Sequence, residues 1–430
     1  MKDLLFSLLF VFPVFVQAQV VPVPGKEQTS TIALTNATIH IGNGFVVDEG
    51  HIVFVDGKIT AVGANAEVPA GAKVVDYSGK HIYPGLIAMD TRLGIDEVEA
   101  LRQTADYDEV GSHNPNVRSL IAYNTDSWVT PTVRSNGILL AQVAPAGGRI
   151  SGTSSIVQLD AWNWEDAAYH ADDAVYLNWP PAFRWTGWWA QPGGIERTDN
   201  YTKQLNEIRS YFAQAESYAT QNLDSKNLRF EGMRGLFDGS KKLFIRVNTA
   251  GAIISAVRFA QDYGITPVIM GGSESVEVAD FLVENNVPVV LNALHRTPSY
   301  EDEGIFNPYE IPSQLSEKGV KFALTYADFW QVRNLPFQAG QAVAFGLAHE
   351  DALQAITLDA ADILGVADRT GSLEVGKDAN IVVSAGDILD MMSNDVVDAY
   401  VQGRQVDLGN KQKDLYKKFS DKFDHNYPKP

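Results

Sequence analysis

His295 stands in the stretch Asn292-Ala293-Leu294-His295-Arg296, directly after an apolar run from Pro288 to Leu291 that reads as a strand. The C-terminal end of a strand in a βα protein is where chemistry is carried, and a neutral imidazole there can act as general acid or base. A loop histidine without a role is the plainer alternative. A second constellation is Gly147-Gly148-Arg149-Ile150-Ser151-Gly152-Thr153-Ser154-Ser155, after a strand from Ile138 to Val143. Its glycines let backbone N–H groups approach a ligand carbonyl or carboxylate, Arg149 supplies charge, and Ser151, Thr153 and Ser154 supply hydroxyls. No Gly-Lys-Ser/Thr closes it, so it is not a Walker motif, and a structural turn accounts for the same residues. Six of the eight tryptophans fall between Trp162 and Trp189. They suit an aromatic lid or docking surface, and equally an inserted hairpin that packs on its own core. The absence of cysteine removes disulfides, thiolate nucleophiles and thiolate metal sites.

The elements that must position these residues fall into three textures. From Thr31 to Ile82 apolar residues alternate with a period of two, and Asp56-Gly57 marks a tight hairpin. Beyond Pro84 short apolar runs alternate with amphipathic helices. Strands are expected over Leu243–Val247, Pro267–Met270, Pro288–Leu291 and Lys321–Thr325, and helices over Ala252–Tyr263, Val276–Asn285, Leu335–Gly346 and Glu350–Leu364. At Gly371 the period of two returns, so one β-sandwich assembled from both ends of the chain is expected, followed by a Lys-rich amphipathic tail.

The first eighteen residues read as an export signal: Lys2, an apolar run from Leu4 to Val16, and Val16-Gln17-Ala18 as the cleavage site before Gln19. The protein is therefore expected to be exported, to a periplasm or outside the cell. The apolar run is too short for a membrane span. A net charge of −19 repels phosphate backbones and anionic headgroups, which argues against nucleic acid or membrane and leaves a small molecule as the expected partner.

Two motifs carry a family resemblance: Gly79-Lys80-His81-Ile82-Tyr83-Pro84-Gly85-Leu86-Ile87, and Gly371-Ser372-Leu373-Glu374-Val375-Gly376-Lys377-Asp378-Ala379-Asn380-Ile381-Val382. With them the chain resembles the amidohydrolase superfamily, in its imidazolonepropionase-like branch. The resemblance implies an α/β fold, a TIM-type (β/α)8 barrel plus a composite β-sandwich formed by N- and C-terminal segments. The divisions expected are 1–18 signal peptide, 29–83 first part of the sandwich, 84–371 barrel, 372–410 second part and 411–430 tail. It also implies hydrolysis of non-peptide carbon–nitrogen bonds in a small cyclic amide, imidazolone or dipeptide-like substrate, with zinc or another divalent metal.

The family's metal ligands do not carry over. Its His-x-His pair falls on Asp90 and Arg92, and a guanidinium cannot be a ligand. The histidine of the fifth strand falls on Arg246, or on Asn248 in a register two residues later; that of the sixth falls on Gly271. The aspartate of the eighth falls on Ala327, beside Asp328. Asp90, Asp328 and Glu274 form a carboxylate set suited to a hard cation, and no zinc or other cofactor is expected at the mouth. Of the remaining histidines, His40, His51 and His81 in the sandwich and His170 and His425 elsewhere do not replace the ligands. Two readings follow: a hydrolase using His295 and Asp328 with Arg149, Ser151, Thr153, Ser154, Arg246, Asn248 and Glu274 around the substrate, or a metal-free pseudoenzyme or binding protein. The second would work as a homo-oligomer or with an active paralogous amidohydrolase. Guanidinium is expected in the metal's place, with Asp90 and Arg92 on one inward face and Arg246 entering opposite.

Overall fold

The computed structural model describes residues 23–188, 190–191, 193–222, 224–298 and 303–423. The export signal, Trp189 and His425 lie outside them. Five strands open the described chain: β1 (Ile32–His40), β2 (Val46–Val55), β3 (Lys58–Gly63), β4 (Lys73–Asp76) and β5 (His81–Pro84). Eight more build the barrel sheet: β6 (Leu86–Thr91), β7 (Ile138–Val143), β8 (Ile150–Gln158), β9 (Ala168–Asn178), β12 (Lys242–Val247), β13 (Val268–Gly271), β14 (Val289–Asn292) and β15 (Phe322–Thr325). Between β9 and β12 a ribbon of β10 (Phe183–Trp185) and β11 (Ile195–Arg197) stands apart, and β16 (Ile381–Ser384), β17 (Val396–Val401) and β18 (Arg404–Gln405) close the chain.

Both ends of the chain enter one eight-stranded sheet, in the order β18-β17-β16-β5-β1-β2-β3 with β4 beside β1. The C-terminal strand β16 pairs directly with β5. The sheet curls until β3 meets the segment before β16, where Ile59 N–H donates to Lys377 O at 2.9 Å. Alternate residues such as Leu34, Ile39, Ile52, Phe54, Ile381 and Tyr400 fill the enclosed space, as a period of two requires.

The barrel sheet runs β15-β14-β13-β12-β9-β8-β7-β6. Its ends meet at a seam where the Thr325 hydroxyl donates to Met89 O and accepts from Met89 N–H. Ile87, Met89, Tyr176, Phe244, Met270 and Val290 point inward, while their neighbours face the helices. One strand departs from the (β/α)8 plan, since β8 is antiparallel to both β7 and β9. Six residues, 144–149, separate β7 from β8, far fewer than a parallel crossover needs. Gly147 and Gly148, at φ +78° and +58°, make the reversal. The expected helix over Glu350–Leu364 is two helices, His349–Ala355 and Leu358–Leu364, with Thr357 at φ −133° between them.

Candidate ligand site at the barrel mouth

The strand ends decide what reaches the mouth. On β12 Phe244 is an inward residue, so Arg246, two positions on, faces the same way. On β6 Ile87 and Met89 point inward, and a regular strand would turn Asp90 outward. Asp90 instead adopts φ +50°, and the β6–β7 register slips between Ala88 and Thr91. That left-handed residue brings its carboxylate to the mouth.

There Arg246 meets Asp90 on two nitrogens, Nη2 to Oδ1 at 2.5 Å and Nε to Oδ2 at 3.2 Å. The guanidinium also donates to Pro145 O at 2.9 Å, Ser151 Oγ at 3.2 Å and Asn178 Oδ1 at 3.3 Å. It lies 4.4 Å above the Tyr176 ring. Burial pulls the arginine pKa down, but the Asp90 carboxylate outweighs it and the net direction is up. Beneath the pair, Gln142 accepts from Tyr176 Oη at 2.7 Å and from Asp90 N–H at 3.3 Å, and donates to Asp173 Oδ2 at 2.6 Å. Every polar group of this floor has a partner, which fixes the ion pair from below.

A cavity of about 380 Å³ opens beside the pair. Asp90, Arg246, Asn248, Ser273, Asn292 and Arg296 give it polar walls; Met270, Leu291, Leu294 and Ile311 give it apolar ones. Arg296 is held by Glu303 on two nitrogens, at 2.5 and 3.1 Å. Ala293, also in the lining, is a second non-glycine residue in the left-handed region, at φ +50°. Two such residues on one rim are a store of backbone strain of the kind found at binding sites.

The residues singled out in the sequence separate here. Asp90, Arg246, Asn248 and Gly271 line the cavity, and Ser151 reaches it through its bond to Arg246. The expectation that Arg92 shares an inward face with Asp90 is corrected. Arg92 lies at the seam, paired with Asp96 at 3.1 Å and Asp328 at 3.3 Å and sandwiched near Tyr107. Asp328 is thereby engaged outside the cavity lining. Glu274 accepts from Ala250 N–H at 2.8 Å and so caps the helix Ala250–Gln261. Arg149 binds Asn178 O at 2.6 Å and Gln204 Oε1 at 2.7 Å, and burial lowers its pKa. Thr153 bonds to Pro115 O, and Ser154 bonds to Asp173, both inside β8. His295 packs edge-on against Tyr309 at 5.7 Å, desolvation there lowers its pKa, and it is not among the lining residues.

Of the clustered tryptophans whose side chains are described, Trp162, Trp164, Trp179 and Trp188, none is among the cavity-lining residues. Trp179 is a core residue against Phe259 at 5.4 Å. Tyr176, Gln142, Ser273, Asn292 and Arg296 enter the site without having been anticipated. Tyr176, Gln142 and Asn292 could have been found from even spacing along their strands, with Ala174 on β9, Leu140 on β7 and Val290 on β14; Ser273 and Arg296 follow from loop geometry that no local pattern encodes.

The donor set at the mouth does not fit the family's metal. Arg246 stands where one ligand would be and occupies Asp90, and Gly271 offers no side chain. At Gly271, φ is +97°, and a Cβ would stand 2.4 Å from Asn248 Oδ1, so a histidine there would be strained as well as crowded.

Among known proteins, the sequence profile of the Amidohydrolase family matches residues 309–406. An imidazolonepropionase of Mesorhizobium japonicum is 36% identical over 110 residues, 23% of this chain and 27% of that protein. Amidohydrolase tasK of Hapsidospora irregularis is 22% identical over 384 residues, 76% of this chain and 38% of that protein. The chain thus spans well under half the length of either. Among solved structures, an amidohydrolase from Thermotoga maritima MSB8 superposes with a TM-score of 0.75 at 24% identity, covering 87% of this chain and 99% of that one.

Proposed function

We propose that this chain is a member of the amidohydrolase superfamily, a reading supported by the profile match over residues 309–406 and by the shared fold, and that its barrel mouth binds a small amide-bearing molecule without the metal-dependent hydrolysis of ordinary members. The observation that carries this reading is the two-point bond between Arg246 and Asp90. It satisfies Asp90, the one carboxylate among the described residues that line the cavity, which could otherwise hold a cation or activate water. Beside it Asn248, Asn292 and Ser273 offer neutral donors and acceptors above apolar walls. That combination suits a cyclic amide, an imidazolone or a dipeptide-like compound with a carbonyl at one end and an apolar body. The protein works after export, on molecules that reach the periplasm or the medium.

The test is titration calorimetry of the chain beginning at Gln19 against lactams, hydantoins, imidazolones and dipeptides, with turnover measured on the same panel with and without added Zn²⁺. Saturable binding that Asn248→Ala weakens, without turnover, supports the reading. Turnover abolished by Asp90→Asn would instead establish the hydrolase reading, which superfamily membership favours, and would require Asp90 to leave Arg246 when substrate enters.

A further inference from the structure

Away from the mouth, where the curled sheet meets the barrel's last helices, three histidines and two carboxylates converge from four segments. His40 ends β1, His81 begins β5, His349 and Glu350 begin the helix His349–Ala355, and Asp387 lies in the loop after β16. Glu350 Oε1 stands 2.8 Å from His40 Nδ1 and 3.0 Å from His349 Nδ1. The ligand atoms of these three residues all lie within 4.8 Å of one another. Glu350 Oε2 is buried with no hydrogen-bond partner among the described residues. The second ring nitrogens are engaged in turn: His349 Nε2 with Asp387 Oδ2 at 2.9 Å, and His40 Nε2 with His81 Nδ1 at 3.2 Å. His40 is further fixed by stacking on Tyr83 at 4.5 Å.

We propose that His40, His349 and Glu350 bind a divalent first-row transition ion of the zinc class, which clamps the curled sheet to the barrel. Two imidazoles and a carboxylate are the donors such an ion prefers, and three protein ligands leave a fourth place for water or for Glu350 Oε2. At metal–ligand distances of about 2.0–2.2 Å, tetrahedral ligand atoms stand roughly 3.4 Å apart. The two spacings to Glu350, 2.8 and 3.0 Å, lie within about 0.6 Å of that value, and the two ring nitrogens, no more than 4.8 Å apart, approach it as the rings turn about their side-chain bonds. The outer contacts are those of a metal site: a carboxylate on the far nitrogen of one ligand histidine, and a ring acceptor on the far nitrogen of the other. With neutral histidines, the dication is balanced by Glu350 and Asp387. Ion pairing of a protonated His349 would account for that ring's two carboxylate partners, but it leaves Glu350 Oε2 buried without one, and that open lone pair is what a bound ion fills.

The experiment uses the full chain stripped with chelator and titrated with Zn²⁺, then with Co²⁺ for its visible spectrum. One Zn²⁺ per chain is expected, with a raised melting temperature and a Co²⁺ spectrum of low coordination number. His40→Ala and Glu350→Gln should each weaken binding by a hundredfold or more, and Asp387→Asn by about 10–100-fold. Asp90→Asn should leave it unchanged. Absence of stoichiometric binding overturns the proposal, as does binding that survives both His40→Ala and Glu350→Gln or that fails in Asp90→Asn. If the variants do not fold, anomalous scattering from Zn²⁺-loaded crystals of the parent decides: a peak between His40 and His349 upholds the site, and none there overturns it.

Discussion

Arg246 has its donor fork fully used, on a carboxylate, a backbone carbonyl and two side-chain oxygens, with a tyrosine ring beneath. A charge so committed holds its counter-charge in place. Asp90 is 6% exposed, and removing the arginine would leave it without compensation. Arg246→Ala is therefore expected to lose about 3–5 kcal/mol of stability in urea denaturation, the range for one broken half of a buried pair. A loss below about 1 kcal/mol would mean that cavity water solvates Asp90 adequately. Ala293 makes the opposite case. The left-handed conformation costs an L-residue about 1–2 kcal/mol, while a glycine adds roughly 0.4–1 kcal/mol of unfolded-chain freedom. Ala293→Gly should thus raise the melting temperature slightly, and a lower one would show that the methyl group contributes packing that outweighs the strain.

Among the elements, the sheet built from both chain ends has the sharpest consequence. Ending the chain at Gly371 removes β16 from the edge of β5 and uncovers Leu34, Ile39 and Phe54. Such a fragment should aggregate when expressed, and a soluble one with a cooperative melt would contradict the shared core. The strands of this sheet and the barrel's second half were legible because alternation and flanking turn residues mark them; β7 was read at its observed bounds, Ile138–Val143. The antiparallel β8 was not anticipated, although the six-residue connection before it already forbids a parallel crossover. Of the site, Arg246 and Asn248 were legible because the family's fifth-strand ligand position falls on one or the other, and both line the cavity. Arg92 was not, because a single left-handed residue, Asp90, resets the alternation on which its placement rested. The cluster around His349 joins positions far apart in sequence, and no local pattern could have announced it.

In the whole molecule, sheet and barrel share one hydrogen-bonded frame. Gly85, the single residue between β5 and β6, donates to Asn380 O at 2.8 Å, and Leu86 donates to Gly137 O at 3.0 Å. A Cβ at Gly85 would meet Leu139 at 2.8 Å, so the two parts approach as closely as a glycine permits. Scanning calorimetry should show one transition with equal calorimetric and van't Hoff enthalpies; two resolved peaks would divide the molecule where this frame joins it. The reversed strand β8 also gives the chain an order of events. In the β7–β8–β9 meander Leu140 has only to find Gln158, whereas at the seam Met89 must find Thr325, 236 positions later. Loop closure favours the short search. The meander should accordingly be formed when the rate-limiting barrier is crossed, and the seam should close after it. Stopped-flow kinetics would then show Ile156→Val slowing refolding, while Thr325→Val accelerates unfolding and leaves refolding unchanged. A barrel interrupted by one strand of the wrong direction has in this way a place to begin.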